Sequence, residues 1–149
     1  VYMNKLQIHR MENILQLLPI KVINYFSFTI FEKQQPVITY CNNQKWVNYC
    51  ENYYNTNILC PIKKYILSSK LNVINWNLLT LDKPTKEYIN KRNKITSIRA
   101  SISLLHHKNS RLIVVTFGTN QNSRYLINFF NHKIDCLSLI MKNLINKQV

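Results

Sequence analysis

The sequence is short of glycine, of acidic residues and of long apolar runs, and each shortage excludes a class of protein. A single glycine, Gly118, leaves no glycine-rich loop to cradle a phosphate, so P-loop and dinucleotide-binding proteins are excluded. The six Asp and Glu residues form no close pair, which argues against glycosidase or metal-carboxylate chemistry. No apolar run reaches the roughly 18 residues of a membrane span. Because no secretion signal is visible either, we expect a cytoplasmic chain that binds no membrane.

The cysteines and histidines show no pattern of a metal or catalytic site. The four cysteines are Cys41, Cys50, Cys60 and Cys136, and their spacing matches no zinc site. We therefore expect reduced thiols in or near a core, with no metal and no cofactor. His106 and His107 lie in a predicted hairpin without a nearby carboxylate, so we expect them in solvent. Cys60 has only Lys63 as a nearby activator, and no catalytic residue is assigned.

Positive charge and apolar residues are abundant. Lys and Arg number 20, the net charge is +14, and 46% of the residues are hydrophobic, enough for the core of one domain over residues 1–149. The basic residues are scattered, and clusters such as Lys63 with Lys64, or Lys91 with Arg92 and Lys94, are short. A solvated face is therefore favoured. Direct nucleic-acid binding stays open as a less favoured interpretation, and it would be steeply salt-dependent.

Hydrophobic periodicity predicts an α+β fold. Helices are predicted over residues 3–18, 43–54, 61–69, 84–93 and 122–145, and strands over 23–31, 36–41, 97–105 and 111–117. Residues 71–81 are expected to form a loop or short strand around Trp76. The strands come in two hairpin pairs, so we expect a mainly antiparallel sheet with helices on its faces. With one glycine, the turns must use Asn, Ser, Asp and Pro.

The segment from residue 40 to residue 77 carries a resemblance to a known family. Its sequence, YCNNQKWVNYCENYYNTNILCPIKKYILSSKLNVINWN, contains Trp46, Pro61 and Trp76 in that order. It resembles the core of LuxR-type autoinducer-binding domains, especially their SdiA-like branch, in which a W-x-x-x-Y helix precedes an Asp-Pro pair and a second Trp. Ser27 and Thr116 match flanking strands in which the family carries pocket hydroxyls. The resemblance covers most of the chain, from about residue 23 to the end of the last helix.

The resemblance implies an α/β/α sandwich that binds an acyl-homoserine lactone in an apolar core pocket. A fatty chain needs an apolar cavity, and its amide and lactone need a few fixed polar partners. By analogy, Trp46 would donate its indole N–H to the lactone carbonyl, and Trp76 would pack against the lactone ring. Ser27 and Thr116 would bond near the acyl carbonyl. Two wall residues, Ile62 and Val115, are implied in the same way.

The sequence departs from the family's pattern at two ligand positions. The Asp that accepts the ligand's amide N–H falls at Cys60, and a thiol is a weak acceptor, which costs about 1–3 kcal/mol of binding. The Tyr that follows the first Trp by four residues falls at Cys50, and Tyr49 or Tyr53 are the candidate substitutes. The sequence also ends with the last predicted helix, so the family's helix-turn-helix DNA reader is not expected within these residues.

Two functions of different kinds remain open. The first is a quorum-sensing signal receptor, the ligand-sensing domain of a transcription regulator, which dimerises through its last helix or the face beside it. The second is a truncated, ligand-blind homologue that pairs with a full-length LuxR-type regulator and inhibits it. In both cases DNA would be contacted only through a helix-turn-helix that is missing here or supplied by a homodimer or heterodimer partner.

Overall fold

The computed structural model describes residues 23–53 and 61–121, and five single helical positions outside them, His9, Asn13, Asp135, Leu139 and Lys142. The described elements are β1 (Ile23–Glu32), β2 (Gln35–Cys41), α1 (Gln44–Tyr53), α2 (Pro61–Ser68), β3 (Val73–Asn75), α3 (Lys83–Thr96), β4 (Ala100–Lys108) and β5 (Arg111–Thr119). The strands form one antiparallel sheet in the order β2-β1-β5-β4-β3. The predicted α+β class with an antiparallel sheet is confirmed.

Two tight turns set the register of the sheet. Lys33 and Gln34, with φ of 48° and 65°, join β1 to β2, and Asn109 and Ser110, with φ of 51° and 64°, join β4 to β5. Positive φ at both central residues matches the twist of a two-residue hairpin. The expectation that turns use Asn and Ser is confirmed at the second turn. It is wrong at the first, where the pairing of the strands on both sides imposes the turn on Lys and Gln.

β4 and α3 both end three residues later than their patterns predicted, and β4 also begins three residues later, at Ala100. β4 continues through His106 and His107, which pair with β5 instead of forming a loop. His107 is exposed and His106 half-buried. α3 continues to Thr96 and ends at Ser97, whose backbone is left-handed. The Thr96 hydroxyl donates to the carbonyl oxygen of Arg92 at 2.7 Å, so this polar residue is satisfied by its own helix.

Both faces of the sheet are buried. Side chains alternate between faces along a strand, and the register places Ser27, Thr116 and Ser103 side by side on one face, called here the site face. All three described helices contribute buried residues to the cluster on this face, namely Trp46, Ile66, Tyr88 and Ile89. The opposite face carries Phe26, Phe28, Ile102, Val115 and Phe117, each at most 2% exposed. The helices predicted at 3–18 and 122–145 lie outside the described residues, apart from the five positions named above.

An N-cap fixes the start of α3, the helix that crosses the site face. The Asp82 side chain accepts the Thr85 backbone N–H at 3.0 Å, and a proline stands in the first turn. Hydrogen bonds from Thr85 lower the pKa of the Asp82 carboxyl below its ordinary value of 3.8. No helix in the described ranges is long and apolar enough to cross a membrane.

Asp82→Asn should remove the pH dependence of this cap and keep its hydrogen bond. Because the folded-state pKa is lowered, the charge stabilises the fold above the ordinary pKa, and the stabilisation is lost as the pH falls through the lowered value. Melting curves from about pH 7 to about pH 2 should show the wild type more stable than the variant at neutral pH, and the two converging in acid. Glu51→Gln, an exposed carboxylate on α1, is the matched control. A difference that stays constant with pH would contradict the prediction.

Candidate ligand-binding site

A hydrogen-bonded polar row crosses the site face. Across the strands, Ser27 of β1 lies opposite Thr116 of β5, and Thr116 lies opposite Ser103 of β4. The Ser103 and Thr116 hydroxyl oxygens are 2.7 Å apart, and the indole Nε1 of Trp76 donates to Ser103 Oγ at 2.8 Å. Ser103 and Thr116 are at most 5% exposed. The row therefore presents satisfied polar groups inside an otherwise apolar core.

Ser101 and Ser103 are site residues that the sequence analysis did not single out. They alternate with Ile102 and Leu104 in β4, a strand whose first six residues are all buried. Because side chains alternate between the faces, this pattern places both serines on the site face and both aliphatic residues on the other. The two serines could have been predicted as site residues, because small polar residues recur at every second position of an otherwise apolar strand.

Trp46 begins a stack of aromatic rings that leads from the core to the surface. Asn43 caps α1, and its Oδ1 accepts the Trp46 backbone N–H at 2.9 Å. The Trp46 ring stacks on Tyr49 at 5.5 Å, and Tyr49 on Tyr53 at 5.2 Å, at the spacing of one helix face. Tyr88 of α3 meets Trp46 edge-on at 5.2 Å. Trp46 is 3% exposed and Tyr53 63%, so Tyr53 lies at the solvent end.

A cavity of about 300 Å³ lies between α3 and the segment that carries Trp76. Its volume is at the lower end of the range for small-molecule sites. Polar and apolar side chains share its lining, among them Trp76, Asn77, Thr80, Ile89, Asn90 and Asn93. The side-chain oxygen of Asn93 is buried and has no hydrogen-bond partner among the described residues. This oxygen has almost no accessible surface, so it lies behind the lining of the cavity and not on its wall.

Most of the ligand residues predicted from the resemblance come together on the site face. Trp46 and Trp76 belong to one buried cluster, and Tyr49 and Ile62 pack against it. Ser27 and Thr116 stand next to each other across β1 and β5. Of the predicted ligand residues that the structure describes, Trp76 lines the cavity and the others do not. Val115 faces the opposite side of the sheet, because it is adjacent to Thr116 in the strand, and it does not line this face. Cys60 lies outside the described residues.

The prediction that Lys91, Arg92 and Lys94 form a solvated cluster is wrong for Arg92. The two lysines are exposed, whereas Arg92 is 1% exposed and heads the largest fully buried side chains that the structure describes. It lies on the buried side of α3 with Thr85, Tyr88, Ile89 and Thr96. Its Nη2 donates to Ser101 Oγ, and the guanidinium carbon stands 5.5 Å from the centre of the Tyr25 ring.

Two ionisable neighbours of Arg92 are held in their neutral forms. Burial raises the pKa of the Tyr25 hydroxyl well above its usual range, and the positive charge of Arg92 opposes the shift without cancelling it. Burial likewise raises the pKa of the Cys41 thiol, whose sulfur donates to the Asn43 carbonyl oxygen at 3.9 Å. Both groups are therefore uncharged at neutral pH. The guanidinium lies among neutral partners.

The chemistry of this site is that of recognition. The groups that converge on the site face are hydroxyls, indoles, an amide and a guanidinium, set against aromatic and aliphatic walls. Across residues 23–53 and 61–121 no three His, Cys, Asp or Glu side chains stand close enough together to hold a metal ion. Such a set offers directed hydrogen bonds and apolar contact to a small amphipathic molecule.

The fold around this site is that of LuxR-type autoinducer-binding domains, as the sequence resemblance predicted. No protein-family model and no curated protein sequence matches the chain, so the likeness rests on solved structures.

Three of these structures illustrate the likeness. CepR2 of Burkholderia cenocepacia, an N-acylhomoserine lactone-dependent LuxR-family transcription factor, superposes with a TM-score of 0.59 at 14% identity, over 92% of this chain and 93% of that one. The VqsR ligand-binding domain of Pseudomonas aeruginosa gives 0.57 at 13% identity, over 94% and 86%. Escherichia coli SdiA gives 0.53 at 14% identity, over 93% of this chain and 60% of SdiA. At such identities the shared property is the fold, and the chain spans less than two thirds of SdiA.

Proposed function

We propose that this chain is the ligand-sensing domain of a LuxR-type quorum-sensing regulator and binds an acyl-homoserine lactone in its core. The observation that carries the proposal is the polar row of the half-buried Ser27 and the buried Thr116 and Ser103, with Trp76 bonded to Ser103. An acyl chain needs apolar walls, and its amide and lactone need a few fixed hydrogen-bond partners. The site face offers both within one cluster.

The two tryptophans have different roles in this proposal. The N–H of Trp76 already donates to Ser103, so Trp76 acts as a wall that packs against the lactone ring. Trp46, held between Tyr49 and Tyr88, donates its N–H to the lactone carbonyl. Thr116 and Ser27 bond near the acyl carbonyl. Tyr49 and Ile62, half-buried against the same cluster, complete the wall, whereas ligand contacts of Tyr53 and Cys60 stay predictions.

In this proposal, Asn93 supplies the hydrogen-bond acceptor that an Asp provides in other members of the family. The Asp position falls at Cys60, whose thiol is a weak acceptor. The Asn93 oxygen is buried and lacks a partner in the described part of the chain, and the residue lines the cavity beside Trp76. A ligand amide N–H placed there would satisfy an acceptor that is otherwise costly to bury.

The polar groups of the site face favour the receptor over the ligand-blind alternative. A domain that had lost its ligand would have no need for buried hydroxyls and a buried amide, since apolar residues of similar shape pack as well or better. Dimerisation with a LuxR-type regulator, and contact with DNA through a helix-turn-helix, belong to the same proposal for the regulator as a whole.

A melting curve with a panel of acyl-homoserine lactones of different chain length tests the proposed function. A ligand at about 100 times its dissociation constant stabilises the fold by about 2.7 kcal/mol, which corresponds to a rise of roughly 5–10 °C for a domain of this size. We expect the rise to depend on chain length, because the acyl chain fills a cavity of fixed volume. No rise with any lactone, in a protein that melts cooperatively, would contradict the proposal.

Thr116→Val should weaken lactone binding about three- to tenfold, because it removes one hydroxyl partner and keeps the shape of the side chain. Thr29→Val is the matched control. It removes a hydroxyl that bonds to Thr39 at 3.1 Å between β1 and β2, outside the row that holds Trp76. Equal losses of affinity in the two variants, measured by titration of tryptophan fluorescence, would remove Thr116 from the site.

A further inference from the structure

Arg92 brings a positive charge into the core, and no opposite charge pairs with it among residues 23–53 and 61–121. Arginine stays protonated at any physiological pH, so burial cannot neutralise it. At 1% exposure, the guanidinium donates to Ser101 and stands over the Tyr25 ring, while its Nε has no hydrogen-bond partner among the described residues. An ionised group buried without an opposite charge is strongly destabilising. An anion bound beside Arg92 would offset this cost.

The chain itself offers almost no such anion. Five of its six carboxylates lie at described positions, and none of them forms an ion pair with Arg92. Glu32 pairs with Arg111, Glu87 with Lys83, and Asp82 caps α3, while Glu51 and Asp135 are exposed. The sixth, Glu12, lies outside the described residues. Tyr25 and Cys41 are neutral, as shown above.

Arg92 does not itself line the ligand cavity, but hydrogen bonds through Ser101 join it to the lining residue Asn77. Asn77 lines the cavity, and its Oδ1 accepts the backbone N–H of Ser101 at 3.1 Å. The side chain of the same Ser101 accepts from Arg92. Arg92 is also the neighbour in sequence of Asn93, which lines the cavity and whose buried side-chain oxygen has no partner among the described residues. An unpaired cationic donor and an unpaired acceptor thus stand on consecutive residues of α3.

We infer that Arg92 binds the carboxylate of the ligand, and that this domain prefers an acylated amino acid with a free carboxylate to the neutral lactone. The inference rests on the proposed function and narrows its ligand. An acylated amino acid carries an amide N–H close to its carboxylate, which matches the acceptor of Asn93 and the donor of Arg92. A single buried guanidinium balances a monoanionic carboxylate, whereas a phosphate dianion would need a second positive group.

The test compares N-decanoyl-homoserine lactone with ring-opened N-decanoyl-homoserine, which keeps the acyl chain and the amide and adds a carboxylate. Both are titrated into the wild type by calorimetry at neutral pH. A charge-assisted hydrogen bond should make the ring-opened compound bind about ten- to a hundredfold more tightly. Arg92→Gln should abolish this preference. Lys94→Gln, the same change of charge at an exposed position of α3, should keep it.

Each outcome decides between the inference and the proposed function. Equal affinities, or a tighter lactone, would overturn the inference and leave the proposed function standing. A preference for the carboxylate that survives Arg92→Gln would overturn the role of Arg92. If neither compound binds, the proposed function is contradicted, and the inference that rests on it is contradicted as well. If Glu12→Gln lowers the melting temperature of the wild type but not that of Arg92→Gln, Glu12 is the counter-ion and the inference is overturned. The wild-type comparison is informative even if Arg92→Gln does not fold.

Discussion

Trp76→Ala should remove a large part of the protein's folding stability. Trp76 is 3% exposed, its ring lies 5.4 Å from that of Tyr65, and its N–H holds Ser103. Truncating a buried tryptophan costs about 3–5 kcal/mol through lost burial and the cavity that remains. The whole stability of a domain is about 5–15 kcal/mol. The urea midpoint should fall accordingly, with circular dichroism as the readout.

Leu78→Ala is the control for Trp76→Ala, because Leu78 follows in the same segment but is 63% exposed. Its loss should change the stability by no more than about 0.5 kcal/mol. A double-mutant cycle of Trp76→Phe with Ser103→Ala separates the hydrogen bond from the ring, and we expect a coupling of about 1 kcal/mol. Similar midpoints for Trp76→Ala and Leu78→Ala would mean that Trp76 is not a core residue.

The sheet and most of its site face could be predicted from the sequence. Segments rich in β-branched and aromatic residues predicted the four long strands, and the stretch from His106 to Ser110 predicted one hairpin. β3 is three residues long and was expected only as a loop or short strand around Trp76. The positions of Trp46, Trp76 and Thr116 came from the resemblance, which carries tertiary information that periodicity lacks. The observed strand pairing places Ser27 beside Thr116, so that both hydroxyl side chains lie on the same face of the sheet.

The polar residues of the core could not be predicted, for a physical reason. A sequence pattern assigns charged residues to solvent because an unpaired buried charge is costly. Arg92 breaks that rule, and its helix looked polar because only Tyr88 and Ile89 of its buried side are apolar. Burial of an arginine depends on partners that are distant in sequence. Ser101 and Tyr25 are nine and 67 positions away, and neither is visible from the neighbourhood of Arg92.

Gly118 entered the sequence analysis only as the single glycine of the chain, which excludes a glycine-rich loop. The structure shows why a glycine is needed at this position. Gly118 lies within β5 and not in a turn, and its φ is not positive. A Cβ atom built there would stand 2.8 Å from Ile98 Cδ1 and 2.9 Å from Tyr25 Cβ, closer than real Cβ contacts. The sole glycine is therefore needed for a close approach beneath α3, at the level of Tyr25 and Ser101 in the sheet.

Gly118→Ala should destabilise the fold by about 1–3 kcal/mol, and Gly118→Val by more, because the added carbon atoms force Tyr25 and Ile98 apart. Tyr25 carries the ring beneath Arg92, so the displacement should also weaken ligand binding. Ile98→Val removes the Cδ1 atom of one close contact, and the Gly118→Ala, Ile98→Val double variant should recover part of the loss. The contact with Tyr25 Cβ remains, so recovery should be incomplete. The free energies of unfolding are measured by urea denaturation. If the loss in the double variant equals the sum of the losses in the two single variants, a clash with Ile98 is not what Gly118 avoids.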